Sequence, residues 1–183
     1  ESRYQLPDYQ KIYKIFHKPQ WDGSPLQSKS LLIYCEQGRG DMLQFVRYVK
    51  HVNQLCSNII IATRPELIRL VSNIPCIKQV VSIDDDLPAH DVQISVMSLP
   101  LIFRTTLETI PNETPYLSTE EPTESLEFLC KNSKPKIGVV WEGGAAHRRN
   151  RDRSLPTEIL TKLLQLTQFQ FCSLQYRPDA EVM

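Results

Sequence analysis

Short apolar runs alternate with segments of helical periodicity along most of the chain. Residues 30–36, SLLIYCE, form a partly β-branched apolar run of the kind found in strands that are buried on both faces. From Met42 to Val52 apolar residues recur at i, i+3, i+4 and i+7, which predicts an amphipathic helix. Two glycines lie between these segments in the stretch EQGRGD, residues 36–41. This part of the sequence therefore predicts a strand, a tight turn and a helix.

The same unit recurs in outline further along the chain, up to about residue 132. Strands are predicted at 58–63, 79–83 and 91–99, helices at 65–74 and 124–132, and a short helix and turn at 100–111. Such alternation of strands and helices predicts an α/β fold with a doubly wound, mostly parallel sheet and helices on both faces.

The pattern restarts after the polar, proline-containing residues 132–136. A strand is predicted from residue 136, followed by the basic loop AAHRRNRDR, a helix at 155–166 and a strand at 169–176. We therefore predict a domain boundary at this point. The predicted organisation is a lead-in segment at 1–25, a first domain at 26–134 and the beginning of a second such domain at 135–183.

Composition and charge exclude several classes of function. The 183 residues are 41% hydrophobic, and 21 basic side chains balance 21 acidic ones, so no global field favours nucleic acid or an anionic membrane. The five cysteines show no close Cys/His spacing of the kind that zinc needs, and we interpret them as buried thiols. No apolar run approaches the ~20 residues of a membrane span, and the start lacks the apolar region of a signal peptide. We expect a cytoplasmic protein without a transmembrane segment.

The EQGRGD turn is the first candidate site, because ligands of open α/β sheets bind where strands lead into helices. The dinucleotide fingerprint is absent, since Leu43 occupies the place of its third glycine, and the Lys-Ser/Thr of a P-loop is absent too. Two interpretations stay open. Gly38 and Gly40 permit the turn while Asp41 caps the helix, or Asp41 also takes a proton from a substrate hydroxyl.

The loop HRRNRDRS, residues 147–154, is the second candidate site. It is a solvated charged loop, a weak nucleic-acid patch without aromatic side chains, or a diphosphate clamp. For a clamp, it follows Gly143 and Gly144 and leads into a helix that Ser154 could cap. Arg153 and backbone N–H groups would then converge on phosphate oxygens.

Four blocks of the sequence, in this order, carry a family resemblance. They are WDGSPLQSKSLLIYCEQGRGDMLQFVRYV, SLPLIFRTTLETIPNETPYL, IGVVWEGGAAHRRNRDRSLP and FCSLQ. Together they resemble the glycosyltransferase-like region that follows tetratricopeptide repeats in many bacterial proteins. That region is similar to glycosyltransferase family 9, the ADP-heptose:lipopolysaccharide heptosyltransferases. The resemblance covers the chain from about residue 21 onward.

The resemblance implies a GT-B architecture, in which two Rossmann-like domains face a cleft. The first domain would bind the acceptor and the second the nucleotide-diphosphate sugar, with no metal or other cofactor required. The implied reaction is inverting transfer of a sugar to a hydroxyl group of a glycan, a lipid-linked sugar or a protein. The alternative is an inactive transferase-like module that serves binding or assembly beside tetratricopeptide repeats.

The resemblance also assigns roles to residues. Asp41 matches the proposed general base. The family's later donor-site block is absent, so we expect the chain as given to be inactive by itself. The implied acceptor-side residues are Gln37, Gly38, Arg39, Gly40 and Thr105, and the implied donor-phosphate residues are Gly143, Gly144, Arg153 and Ser154.

Overall fold

A computed structural model of the chain describes residues 2–6, 18–36, 38–119, 133–143 and 149–175. The chain divides into two compact units, residues 1–120 and residues 121–183. The predicted helix at 124–132 and two candidate site residues, Gln37 and Gly144, lie outside the described residues.

The first unit contains a four-stranded, all-parallel sheet. Its strands are β1 (Gln27–Tyr34), β2 (Cys56–Thr63), β3 (Gln79–Ser82) and β4 (Val92–Ser95). They lie in the order β3-β2-β1-β4, so the chain winds outward to β3 and then returns to the other side of β1. We call the position between β1 and β4, where the winding direction reverses, the switch point. The parallel sheet with flanking helices confirms the predicted α/β class.

Short helices follow the strands of the first unit. The helix predicted after Asp41 is present as three consecutive segments, and Pro65 opens the next helical segment as predicted. The α-helices are α1 (Arg39–Phe45), α2 (Val49–Val52), α3 (Ile68–Val71) and α4 (Leu99–Ile102), and the 3₁₀ turns are Ser2–Gln5, Val46–Tyr48, Pro65–Leu67, Val96–Ser98 and Leu107–Thr109.

The core lies on both faces of the sheet. On one face, Leu31 and Ile33 of β1 pack with Met42 and Val49 of the helices, and all four are fully buried. On the other face, the neighbouring residues of β1 and β2 form a second buried cluster of Leu32, Tyr34, Ile60 and Ala62. Because successive side chains of a strand point to opposite faces, burial of both faces explains why the second half of β1, residues 31–34, is a continuous apolar run.

The strand predicted at 91–99 is wrong at its carboxyl end. Strand β4 ends at Ser95, and the apolar residues after it form a 3₁₀ turn and then α4. The Ser95 side chain accepts a hydrogen bond from the backbone N–H of Met97 at 3.2 Å, which turns the chain out of the sheet. Pro100 then occupies the first turn of α4, where its missing N–H costs nothing. Apolar character alone could not distinguish these two states.

The described residues of the second unit, 133–143 and 149–175, form two parallel strands and two short helices. Strand β5 (Lys136–Val139) pairs with β6 (Gln170–Ser173), and helices α5 (Asn150–Arg153) and α6 (Thr157–Leu164) lie between them in sequence. The predicted alternation of strand, helix and strand is therefore present here too.

The predicted cap of α6 is wrong. Helix α6 begins at Thr157 after Pro156, whereas Ser154 follows the last residue of α5. The Ser154 hydroxyl donates instead to the carbonyl oxygen of Asn150 at 2.7 Å. Proline disfavours a helical conformation at the residue before it, so the helix cannot begin earlier.

In the part of the chain that the structure describes, no helix has the length and apolar character needed to cross a bilayer.

Candidate functional site

The glycine turn lies at the carboxyl end of β1, next to the switch point. Gly38 has an extended backbone and immediately precedes α1, and Asp41 is the third residue of that helix. The Asp41 carboxylate accepts a hydrogen bond from the backbone N–H of Gly38 at 3.0 Å. A carboxylate in the first turn also complements the helix dipole. The structure therefore supports the capping interpretation of Asp41.

Capping leaves part of the Asp41 carboxylate available. The bond to Gly38 uses only Oδ2, and Asp41 is half-buried, so the carboxylate remains accessible at the surface. A Cβ atom on Gly38 would lie 3.3 Å from Oδ2, so glycine lets the carboxylate approach the turn closely. The geometry is compatible with both interpretations of Asp41.

Gly40 is not explained by the local structure. Its φ lies outside the left-handed region, and a Cβ atom built on it would meet no atom within 4 Å. Glycine near the start of a helix costs up to about 1 kcal/mol relative to alanine. Neither backbone conformation nor packing requires it, and the open space beside it would let a ligand approach the backbone closely.

A cleft of about 790 Å³ opens beside Gly40. This volume lies in the usual range of small-molecule sites. One wall comes from α1 and the residues after it, and the other from the segment that follows α4. The lining residues are Gly40, Leu43, Gln44, Phe45, Arg47, Tyr48, Pro100, Thr105, Thr106, Leu107, Ile110 and Tyr116.

A hydroxyl pair lies in the cleft wall. The buried Tyr48 donates its hydroxyl hydrogen to Thr105 Oγ1 at 3.0 Å. Because Thr105 acts as acceptor in this bond, its own hydroxyl hydrogen is left for another partner. Thr105 can therefore donate a hydrogen bond to a ligand in the cleft.

Arg47 contributes a positive charge to the cleft wall, and three contacts hold its side chain in place. Its guanidinium lies over the ring of Tyr116, 4.3 Å from the ring centre. It also donates to the carbonyl oxygens of Gln44 at 2.9 Å and Pro111 at 2.8 Å. Tyr116 is fixed in turn by a 3.0 Å hydrogen bond from its hydroxyl to the carbonyl of Leu43. These contacts restrict the rotamers of Arg47 before any ligand binds.

The structure brings together only some of the predicted acceptor-side residues. Gly40 and Thr105 line the cleft, whereas Gly38 and Arg39 do not line it. The candidate base Asp41 is not among the lining residues either, although it follows Gly40 directly. Arg39 forms an exposed ion pair with Glu66, and this hydrogen bond lowers the pKa of the Glu66 carboxyl. The contribution of such an exposed pair to stability is small.

Of the cleft residues that the sequence reasoning missed, Arg47, Tyr48 and Tyr116 make the side-chain contacts described above. Arg47 and Tyr48 lie in FVRYV, the end of the first block that carries the resemblance, and Tyr116 lies in PNETPYL, the end of the second block. The resemblance could therefore have pointed to these residues. It was not decisive, because polar and aromatic residues in an amphipathic helix are usually structural.

The second unit brings Gly143 and Arg153 together. A Cβ atom on Gly143 would lie 3.6 Å from the guanidinium carbon of Arg153 and 2.9 Å from Asn150 Oδ1. Any side chain at position 143 would therefore displace Asn150. Ser154 is adjacent, but its hydroxyl already donates to Asn150. Two of the four predicted donor-phosphate residues, Gly143 and Arg153, are thus in direct proximity.

Gln175 is a further residue that the sequence reasoning missed. Its Oε1 accepts hydrogen bonds from the backbone N–H groups of Trp141 and Glu142, both at 3.1 Å, and its Nε2 donates to the Glu142 carbonyl at 3.2 Å. It lies just after β6, whereas its partners lie just after β5. Gln175 therefore joins the carboxyl ends of the two strands and holds the backbone that leads to Gly143.

Four of the five cysteines lie in the described residues, and Cys130 lies outside them. Cys35 and Cys56 are buried, Cys76 and Cys172 are half-buried, and burial raises the pKa of the Cys56 and Cys76 thiols. Among the residues whose positions are described, no three His, Cys, Asp or Glu side chains are grouped to hold a metal ion.

Comparisons with known proteins do not extend these observations. No protein-family model, no curated protein and no solved structure matches the chain. The family resemblance of the sequence blocks therefore stays a prediction.

Proposed function

We propose that the chain is the acceptor-binding part, and the beginning of the donor-binding part, of a heptosyltransferase-like GT-B glycosyltransferase. The observation that carries the proposal is the position of the GRGD turn. It lies at the carboxyl end of β1, beside the switch point, and Gly40 of this turn lines a cleft of about 790 Å³. Ligands of open α/β sheets bind at such positions.

The proposed chemistry needs one base and one stabilised leaving group. The acceptor hydroxyl gives its proton to Asp41 while its oxygen forms a bond to the anomeric carbon of the donor sugar. The bond from that carbon to the diphosphate breaks, and the diphosphate keeps the electron pair. A single in-line displacement inverts the configuration, so one carboxylate is sufficient.

The leaving diphosphate would be stabilised in the second unit. Arg153 and the backbone N–H groups near Gly143 are the proposed donors, because a guanidinium can make two parallel hydrogen bonds to phosphate oxygens. These groups would stabilise the negative charge that develops on the diphosphate. No step requires a metal ion or another cofactor.

The cleft would hold the acceptor. Gly40 lets a sugar ring approach the backbone, and Thr105 and Arg47 are the groups that can donate hydrogen bonds to its oxygens. The apolar part of the lining, such as Leu43 and Ile110, suits the C–H face of a sugar.

The substitution Asp41→Asn tests the proposed base. Asparagine can still accept the hydrogen bond from Gly38, so the helix cap and the melting temperature should be retained. Turnover should fall by about 10²–10⁴-fold, the range for loss of a general base. The measurement is release of nucleoside diphosphate from nucleotide sugars by the natural full-length protein.

The matched control for this substitution is Asp85→Asn, at an exposed carboxylate after β3. It should leave both turnover and melting temperature unchanged. If Asp41→Asn retained wild-type turnover, Asp41 would be a helix cap only.

A binding module without transferase activity is the second candidate. The capping bond of Asp41 favours it, because this bond gives the carboxylate a sufficient structural role without any chemistry. Such a module, beside tetratricopeptide repeats, would bind a sugar in the cleft but would not consume nucleotide sugars. Sugar binding that is lost in Gly40→Val, together with no donor turnover by the full-length protein, would favour this candidate.

A further inference from the structure

A buried carboxylate lies at the switch point and is only half satisfied. Glu36 follows β1 by two residues, and its side chain is 1% exposed. Its Oε1 accepts a 2.5 Å hydrogen bond from Nε of Arg3, whereas its Oε2 is buried and has no hydrogen-bond partner among the residues that the structure describes. A buried carboxylate oxygen without a partner is costly, so the arrangement calls for a physical explanation.

The sheet itself supplies no donor to the Glu36 carboxylate. Its one hydrogen bond among the described residues comes from Arg3, in the 3₁₀ turn Ser2–Gln5, which lies outside the predicted first domain. Without that turn, Glu36 would be a buried and uncompensated charge, which is strongly unfavourable. The Glu36 carboxylate therefore pairs with a cation that comes from outside the sheet and its helices.

The guanidinium of Arg3 connects the two sides of the switch point. Its NH2 group donates to Ser98 Oγ at 2.7 Å and to the hydroxyl of Tyr4 at 2.9 Å. Ser98 is 1% exposed and lies after β4, whereas Glu36 lies after β1. Two buried acceptors, one from each strand end, thus face a single planar cation.

We propose that Glu36 and Ser98 form a guanidinium-binding site at the switch point, which Arg3 fills in this structure and for which a ligand bearing a guanidinium group would compete. A guanidinium has several N–H donors in one plane and pairs with both oxygens of a carboxylate. Arg3 leaves Oε2 unused, so a free guanidinium can make a more complete contact than the tethered one. The site does not include Asp41, Gly40 or Arg153 and does not depend on the proposed transferase activity.

Chemical rescue of Arg3→Ala tests the site in the complete 183-residue chain. The variant should have a lower melting temperature than the wild type, because Glu36 loses its cation. Methylguanidinium is the probe. At ten times its dissociation constant it should raise the melting temperature of the variant by about 3–6 °C. The wild type should respond much less, because Arg3 is tethered at high effective concentration.

Two controls separate specific binding from a general salt effect. Methylammonium has the same charge but no planar fork, and it should rescue Arg3→Ala less than methylguanidinium does. The double variant Arg3→Ala/Glu36→Gln should not respond to methylguanidinium beyond the methylammonium response. Equal responses of the single and double variants, or of the two cations, would overturn the proposal.

A second variant covers the case in which Arg3→Ala does not fold. Arg3→Lys keeps the positive charge, but its ammonium cannot span Glu36 and Ser98 as the guanidinium does. Methylguanidinium should therefore still raise its melting temperature, by less than in Arg3→Ala. Absence of any rise relative to methylammonium would also overturn the proposal.

Discussion

Arg149 and Arg153 lie close together in sequence, but their side chains have different surroundings. The Arg149 guanidinium pairs with Asp152 at 3.0 Å, and both side chains are exposed. Arg153 is exposed too, but its guanidinium carbon lies 3.6 Å from the position of a Cβ atom on Gly143. At the scale of single residues, substituting each arginine in turn can therefore distinguish a phosphate clamp from a solvated charged loop.

Arg153→Ala should weaken binding of a nucleoside diphosphate about ten- to a hundred-fold. This corresponds to roughly 1.5–3 kcal/mol, the range for hydrogen bonds to charged groups. Arg149→Ala should have much less effect, because Arg149 is already paired with Asp152. Calorimetric titration of ADP and UDP into the natural full-length protein and both variants provides the measurement. Equal, salt-sensitive losses in the two variants would indicate a solvated loop.

At the scale of elements, hydrogen bonds join Ser30 of β1 to Asp91, the residue that precedes β4. The backbone N–H and the hydroxyl of Ser30 donate to the Asp91 carboxylate at 2.7 and 2.8 Å, and the backbone N–H of Asp91 donates to Ser30 Oγ at 3.2 Å. The two donors from Ser30 lower the pKa of Asp91 below its ordinary value of 3.8. The folded state therefore favours the ionised form of Asp91, and ionisation of this carboxyl group stabilises the fold.

The sign of this shift predicts a dependence of stability on pH. Because the pKa is lower in the folded state, the contribution of Asp91 is complete above about pH 4 and is lost as pH falls through the folded pKa. The melting temperature of Asp91→Asn should thus lie below that of the wild type at neutral pH, and the difference should shrink in acid. Thermal unfolding between pH 7 and pH 2.5 measures it.

Ser30→Ala is the matched control for Asp91→Asn, since it removes the hydroxyl donor and retains the backbone donor. It should reproduce part of the same pH dependence. A difference between the wild type and Asp91→Asn that stayed constant over the whole pH range would contradict the role assigned to Asp91.

At the scale of the whole molecule, the two units differ in how well their strands are covered. In the first unit, residues of β1 and β2 such as Ile33 and Ile61 are fully buried. In the second unit, Ile159 of α6 is 52% exposed and Leu174, which follows β6, is 64% exposed. An isolated pair of strands is marginally stable at best, so we expect the second unit to open more easily.

Amide hydrogen exchange of the 183-residue chain should show this difference. Peptides that cover β5 and β6 should exchange faster than peptides that cover β1 and β2, because fewer buried contacts oppose opening of their hydrogen bonds. Mass spectrometry of peptides after timed labelling measures both in one sample. Equal protection of the two sheets would show that the second unit is as stable as the first.

The sequence by itself determined the α/β alternation, the burial of β1 and the glycine turn. These features depend on nearby residues. The apolar period distinguishes strands from helices over a few positions, and the bond between Gly38 and Asp41 spans three residues. The local pattern could not determine where β4 ends, because Val96, Met97 and Leu99 are apolar residues that suit a buried strand as well as a buried helix.

Only the tertiary structure decided the strand order and the contents of the cleft. The contacts of Tyr48 with Thr105 and of Tyr116 with Leu43 span 57 and 73 residues, and the contact of Arg3 with Ser98 spans 95 residues. No local pattern encodes such pairs, because they form only when the sheet places the ends of β1 and β4 side by side. The glycine turn of the candidate site therefore forms from residues that are close in sequence, whereas the walls of the cleft come from residues that are far apart in sequence.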